Sequence, residues 1–267
     1  MGRVGLDLPP HVRDVHVACA LVGNGTTDMI DAFIERHALH FSNYQLTFAD
    51  ALAPDQPFYV EIKPTLVQSA PPSLANRVVI RTDERIVMIG YVRETTDPRV
   101  LDDVDVRSLP NLRAAPDREF IAGTGYFLKR KFMNTANAKN FLAGSLCDQG
   151  DYFDELAERF EYPDMFPVAL VSCALLEKAM KEGHDFLADP MVYLAHTIAV
   201  DRRLVRRLRS NDVLHMLVDG PVPVEGEKGL GKSGVKKLRF NCLGIVEPPD
   251  VLYRAEVLMA PLDSIVA

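Results

Sequence analysis

The sequence predicts an α+β fold in which one helix is followed by a run of antiparallel strands, and this order occurs twice along the chain. The first observation is a helical period near the start. Met29, Ile30, Phe33 and Ile34 share one face of Thr26–Glu35, and strand-like stretches follow. The second is the segment Pro167–Met180, apolar almost all round and again followed by strands. The third is a change of composition between Asp97 and Asp117 to Asp, Arg, Pro and Asn without sustained period. That stretch reads as a linker, dividing the chain into 1–96, 97–117 and 118–267.

In the first unit, Val12–Leu21 is rich in β-branched residues and ends at Gly23-Asn24-Gly25, a strand followed by a tight turn. Thr26 or Thr27 caps the helix, and Asp28 and Asp31 sit where the N-terminal dipole favours negative charge. The helix is expected to reach about His40. Strands are expected at Phe58–Val67, Arg77–Arg81 and Ile86–Arg93. In the second unit, Gly125–Phe132 is a strand and Asn134–Glu161 a mixed helical excursion. Pro167 then opens a helix buried on every side, which Gly183 stops. Strands follow at Met191–Val200, Val213–Val218, Val235–Val246 and Val251–Leu258, the last two joined by Pro248-Pro249-Asp250.

Composition narrows the function. The chain has 267 residues, 48% hydrophobic and 25% charged, with a formal net charge of −7. That acidic balance argues against general nucleic-acid binding, which needs a basic face to displace counterions. Cys19, Cys147, Cys173 and Cys242 are far apart without CxxC spacing, and the histidines show no metal-ligand pattern, so no metal is expected. No basic-then-apolar leader and no membrane-length apolar run is present, so a soluble cytoplasmic protein is expected. Asn24-Gly25-Thr26 matches a glycosylation acceptor but reads as a turn in that setting.

Gly226-Glu-Lys-Gly-Leu-Gly-Lys-Ser233 satisfies the phosphate-loop pattern letter for letter. Such a loop needs a helix after it, whose N-terminus and amides hold the phosphates. Here Leu238, Phe240 and Cys242 instead alternate with polar residues, which is strand periodicity. The string is therefore expected to be a hairpin turn and not a nucleotide site.

A long apolar helix wrapped by an antiparallel sheet resembles the hot-dog fold, and two in one chain resemble a double hot-dog with two long helices. Arg159-Phe160-Glu-Tyr-Pro-Asp-Met-Phe-Pro167-Val-Ala-Leu170-Val171-Ser-Cys173-Ala174 is similar to the central-helix region of the β-hydroxyacyl carrier-protein dehydratases. In that family a phenylalanine follows the catalytic histidine, and a proline opens the helix that carries a catalytic acid. Phe160, Pro167, Leu170 and Ala174 match, but Arg159 stands at the histidine position and Cys173 at the acid position. In the first unit, Thr27–Phe41 followed by Phe58-Tyr59-Val60 resembles the N-terminal half of the leinamycin-type acyltransferase/decarboxylases, which carry the acyl group on a tyrosine. Tyr59 maps there.

Each candidate group has a chemical and a plain reading. Asp28 and Asp31 sit beside a helix N-terminus, where an acid and a polarising amide suit acyl-thioester chemistry; otherwise they complement the dipole. His16 is placed on the preceding strand as a partner base, or is an ordinary strand histidine. Tyr59 is a nucleophile only with a lowered pKa or a neighbouring base, and is otherwise packing. Cys173 is a thiol at an acid position, or an inert small hydrophobe. Arg202-Arg203-Leu-Val-Arg206-Arg207-Leu-Arg209 suits phosphates or an acidic partner, or is solvated. Arg206 and Arg207, with Asn24 and Gly25 in the turn, are the candidate substrate contacts.

The leading expectation is an enzyme acting on an acyl thioester of coenzyme A or an acyl carrier protein, in fatty-acid or polyketide-type biosynthesis. Dehydration, hydrolysis and acyl transfer with decarboxylation all remain open. The site is expected between the two helices, with an acid from the first half. No cofactor beyond the coenzyme A or phosphopantetheine of the substrate is expected, and the chain would act as a monomer or homodimer. The alternative is a non-catalytic acyl-binding or scaffold protein, which Arg159 and Cys173 favour.

Overall fold

The computed structural model describes residues 28–53, 55–145, 147–224 and 237–266. The expectations placed on His16, Asn24, Gly25, the strand 12–21 and the string 226–233 lie outside those residues, as does the Asp28 side chain. Among the described residues no helix is long and apolar enough to cross a membrane. None of the described His, Cys, Asp and Glu residues forms a group of three or more that could hold a metal ion.

Helix α1 spans Asp28–Arg36 and stops short of the expected His40. The reason is local. Ala38 adopts a left-handed φ of 52°, Leu39 N donates to Ile34 O at 3.0 Å, and Ala38 N donates to Glu35 O at 3.2 Å. This is a Schellman cap, with Ile34 and Leu39 in apolar contact as that motif favours. The chain then turns directly into strand β1, Phe41–Phe48, which the sequence reading did not anticipate.

Strands β2 (Tyr59–Ile62) and β3 (Leu66–Ser69) replace the single strand expected over 58–67. Pro64 between them has no N–H for a ladder. Both pair with β4 (Pro72–Arg81), which forms a hairpin with β5 (Ile86–Thr95). In the second half, β6 (Glu119–Phe120) and β7 (Phe127–Phe132) precede α2 (Thr135–Gly144) and the small hairpin of β8 (Phe153–Asp154) and β9 (Arg159–Phe160). The apolar helix follows in two pieces, α3 (Phe166–Ala169) and α4 (Val171–Lys181). It is not buried on every side as expected, because Leu176 and Met180 face solvent. Then come β10 (Met191–Asp201), α5 (Arg202–Arg207), β11 (Val213–Val224), β12 (Lys237–Glu247), β13 (Asp250–Pro261) and α6 (Asp263–Val266). Among the described residues neither unit shows a long unbroken helix: α1 has 9 residues and α4 has 11.

The string 226–233 lies between β11 and β12, whose ends pair antiparallel at Val224 and Lys237. A strand, not a helix, resumes after it.

Among the described residues, all strands but β8 and β9 join one 11-stranded sheet in the order β2-β4-β5-β1-β10-β13-β12-β11-β7-β6, with β3 also on β4. From the seam between β1 and β10, each half reads the same way outward: the unit's first seam strand, then its last strand, then the one before that. The seam pairing is centred on Tyr44 opposite Ile198. Counted from that pair along each strand, Ser42 and His196 hold equivalent positions. The neighbouring registers, Ser42 with Glu94 and His196 with Val257, superimpose Glu94 on Val257.

One face of the sheet carries the main core. Tyr44, Leu46 and Val92 from the first half are continuous there with Ile198, Val200, Ala255 and Val257 from the second, covered by Val168, Val171 and Ala174 of the helix pieces. The opposite face carries a smaller cluster, in which Val106, Leu112 and Ile121 from the segment after β5 cover Leu128, Leu217 and Ile245. Arg130 fastens that segment by donating to the carbonyl oxygens of Leu112 and Ala115.

Gly244 sits under the buried ring of Tyr253, and a Cβ added there would run into it. Gly244→Ala is expected to destabilise the protein by about 1–3 kcal/mol through overpacking, read as a lower midpoint in urea unfolding.

Candidate active site

Charged groups that are nearly removed from water mark the seam. Ser42 on β1 and Glu94 on β5 are directly opposed in register. The Ser42 hydroxyl, 2% exposed as a residue, lies 3.0 and 2.9 Å from the two Glu94 carboxylate oxygens and donates to them. From the second half, Arg202 places Nη2 3.3 Å from Glu94 Oε2. Both side chains are 17% exposed.

The path of the chain explains why Arg202 is there. Its backbone N–H donates to His40 O at 3.0 Å, and Nη2 also donates to Leu39 O at 2.7 Å. Leu39 is the residue that closes the cap of α1, so the end of that helix presents a carbonyl to the guanidinium. Asp201 caps α5 by accepting from Arg203 N and also binds the Arg203 guanidinium. This turns Arg203 away from Glu94. Arg202 Nε is left buried without a hydrogen-bond partner.

Asp164, in the loop that leads into α3, completes the group. Burial pushes the Glu94 carboxyl up to about 7, opposed by the Arg202 charge and the Ser42 hydroxyl and reinforced by the charge of Asp164. Burial likewise raises Asp164, opposed by Arg202 and Arg206. Two carboxyls that burial raises therefore both feel the charge of Arg202, which contacts Glu94 directly. A carboxyl poised near neutrality can both take and give a proton, the property required of a general acid or base.

The equivalent place on the other side of the pseudo-two-fold is different. By register Val257 stands where Glu94 does and His196 where Ser42 does, with Phe48 beside His196. The Phe48 and His196 rings meet edge to face at 5.3 Å. Tyr193 donates to Ser172 Oγ at 3.0 Å nearby, around a void of about 10 Å³. Only one of the two mouths carries a carboxyl on the strand beside the seam.

The residues singled out from the sequence are dispersed. Asp31 is exposed on α1, whose apolar face packs Ile30 and Phe33 on the Ile34–Leu39–Leu74 cluster. Tyr59 starts edge strand β2, three strands from β1, with the Arg81 guanidinium 5.4 Å from its ring centroid. Cys173 is a half-buried free thiol on α4. Arg159 lies exposed on β9 and donates to Gly150 O and Asp151 O. Arg206 is exposed and acts electrostatically on Asp164, whereas Arg207 faces the other side of α5, 4.0 Å from Asp250.

Sequence reading missed Ser42, Glu94, Arg202 and Asp164 as a group. The available signal was the alternation in Phe41-Ser-Asn-Tyr-Gln-Leu-Thr-Phe48, which makes β1 a strand and puts Ser42, Tyr44, Leu46 and Phe48 on one face.

Structural comparison gives the fold. A conserved hypothetical protein of Mycobacterium tuberculosis, RV0216, described as having a double hotdog fold, is 12% identical with a TM-score of 0.51, covering 97% of this chain and 94% of that one. The full-length peroxisomal multifunctional enzyme type 2 of Drosophila melanogaster is 13% identical with a TM-score of 0.50 over 96% of this chain, which spans 48% of that enzyme. The chain thus has the hot-dog fold, in double form. No family model matches it, and no curated protein matches it by sequence.

The raised pKa of Glu94 carries a stability consequence. Below pH 4.5, the ordinary glutamate value, the group is protonated whether the chain is folded or unfolded, and burial costs nothing. As pH rises to 7 the unfolded chain ionises and the folded one resists, so stability is lost across that window, on the order of 3 kcal/mol when complete. Glu94→Gln is therefore expected to gain stability relative to the unsubstituted protein between pH 4.5 and 7.5. Urea unfolding of both proteins across that range measures it, and a difference independent of pH would contradict the assignment.

Proposed function

We propose that the protein is an enzyme acting on acyl thioesters of coenzyme A or an acyl carrier protein, with Glu94 as the group that transfers the proton. The observation that carries this reading is a buried carboxyl held near pKa 7 at the seam of a double hot-dog, beside a guanidinium with an unpartnered N–H.

Proton removal beside a thioester carbonyl needs a base at the carbon and a donor at the oxygen, where negative charge develops. Glu94 supplies the base. Arg202 Nε supplies the donor, and the substrate carbonyl is the acceptor that Nε lacks. Asp164, whose carboxyl burial pushes up towards the protonated form, is the acid in this reading and gives its proton to the departing β-hydroxyl, which leaves as water. The electron pair of the broken C–H bond forms the new double bond. Glu94 then holds the proton taken from carbon while Asp164 is ionised, and exchange with solvent resets both. Ser42 fixes the carboxylate, and Arg206 at the mouth meets the phosphate of the carrier arm or an acidic carrier surface. In this reading the chemistry is dehydration of a 3-hydroxyacyl thioester, or the reverse hydration.

A second reading has its own support. Arg159 and Cys173 stand where the dehydratases carry histidine and acid, which favours a double hot-dog that binds an acyl group without turning it over.

Incubation with 3-hydroxyacyl- and 2-enoyl-thioesters, followed by mass spectrometry, separates the two. A change of 18 mass units in the substrate (one water,) is expected. Glu94→Gln should lower kcat by about 10²- to 10⁴-fold while the fold is retained. For the unsubstituted enzyme kcat/KM should rise with pH to a plateau above about 7, the value of the Glu94 carboxyl. Arg206→Ala should raise KM with kcat little changed. Binding without any mass change would leave the non-catalytic reading.

A further inference from the structure

The face of the sheet away from the helices is covered over part of its width. Val106, Leu112 and Ile121 sit on Leu128, Leu217 and Ile245 of the second half, whereas Gln45 at the seam and Arg77 in the first half are exposed. Directly opposed residues on neighbouring strands share a face. The registers therefore set one row of polar side chains across seven strands there. Arg77 of β4 stands opposite Tyr91 of β5, Tyr91 opposite Gln45 of β1, and Gln45 opposite Thr197 of β10. The row continues through Glu256 of β13 and Asn241 of β12 to Asp219 of β11. Gln45 lies between Tyr44 and Leu46, which belong to the main core, so the row faces outward.

The two ends of this row carry opposite charges. Among the described residues neither the Arg77 guanidinium nor the Asp219 carboxylate takes part in an ion pair. Other charges on the face are matched within the chain: Arg81 binds Glu61, and Arg239 lies 3.8 Å from Glu256. Arg77 and Asp219 are six strand spacings apart, about 29 Å, too far to pair with each other in one molecule. Beside the row, Ile89, Ala195 and Leu258 are half-buried and follow one another through Thr47 in the same registers. A face meant only for water has no need of that apolar strip. The Arg93 guanidinium, 5.3 Å from the Tyr91 ring centroid, holds that ring against the sheet.

We infer that this face binds a second copy of the chain, back to back, about a two-fold axis that runs parallel to the strands through Thr197. An axis so placed reverses the row. Arg77 of one copy then meets Asp219 of the other, Gln45 donates to Glu256, and Tyr91 lies on Asn241, each contact being made twice. A two-fold axis along the row would instead set Arg77 on Arg77, so charge selects the first arrangement. The covering segment after β5 sits on the second half alone, and in this pairing it lies over the open first half of the other copy. Ser42, next but one to Tyr44 on β1, is on the opposite face, so the mouth with Glu94 stays outside the contact.

Sedimentation equilibrium of the full chain tests this. Twice the chain mass is expected, with association weakening as salt is raised. Arg77→Asp and Asp219→Arg should each raise the dimer dissociation constant about tenfold or more, because each sets like charges together twice. Mixed in equal amounts, the two variants should associate again, since each offers the charge that the other needs. The double variant Arg77→Asp with Asp219→Arg should dimerise by itself, and either restoration rules out misfolding as the cause of the loss. Arg77 is exposed, so Arg77→Asp carries the test if Asp219→Arg fails to fold. A monomer throughout the micromolar range overturns the inference, and is the outcome expected if a different protein occupies this face. A dimer that the single reversals leave intact, or a mixture of folded variants that stays monomeric, overturns it as well. Mass is read without turnover, so failure here leaves the assignment of Glu94 untouched, and loss of turnover leaves this interface untouched.

Discussion

The antiparallel pairing of β1 with β10 is the constraint on which the rest depends. It converts two small sheets into one and lets a single apolar core run beneath both halves. It also decides which polar residues meet. Ser42 and Glu94 come from the first half, Arg202 and Asp164 from the second, and the seam register brings them to one mouth. A slip by one residue would turn Ser42 to the opposite face and separate Glu94 from its partners.

Burying Glu94 beside Arg202 is not a way to gain stability, because desolvation offsets much of the attraction. The pair persists in a setting where each member is only partly compensated. One guanidinium nitrogen serves both the carboxylate and Leu39 O, while Nε serves nothing. Partial satisfaction of this kind is costly in a core and useful in a site, where a ligand can supply the missing partner. The cap of α1 contributes from a distance by delivering the Leu39 carbonyl.

Much of the architecture was legible in the sequence. Pro167 and the apolar run after it gave the second helix, and the alternation after Lys237 gave β12 and hence a strand where a nucleotide fold requires a helix. Strand β1 was not legible as read, because Ser42, Asn43, Gln45 and Thr47 look like a polar loop. Asn43 is in fact buried, its amide bound to Thr95 Oγ1 at 2.7 Å. The helix ran on to His40 in that reading because nothing in Arg36-His-Ala-Leu-His announces a left-handed Ala38. The mouth was out of reach for a different reason. Glu94 ends a strand in Arg-Glu-Thr-Thr, which reads as solvated, and only long-range register buries it. Tyr59 and Cys173 were singled out by resemblance, and the fold sets both apart from that group.

The unequal seats of Ser42 and His196 have a consequence for how such a chain can change over generations. In a symmetric homodimer every substitution is made twice, so both mouths gain or lose a carboxylate together. Joining the two units in one polypeptide removes that coupling. Val257 and Phe48 can then serve packing at one mouth while Glu94 and Arg202 carry charge at the other, and the expense of a buried ion pair is incurred once per sheet. The mouth without a carboxyl is then free to drift, while its counterpart must keep Ser42, Glu94 and Arg202 matched.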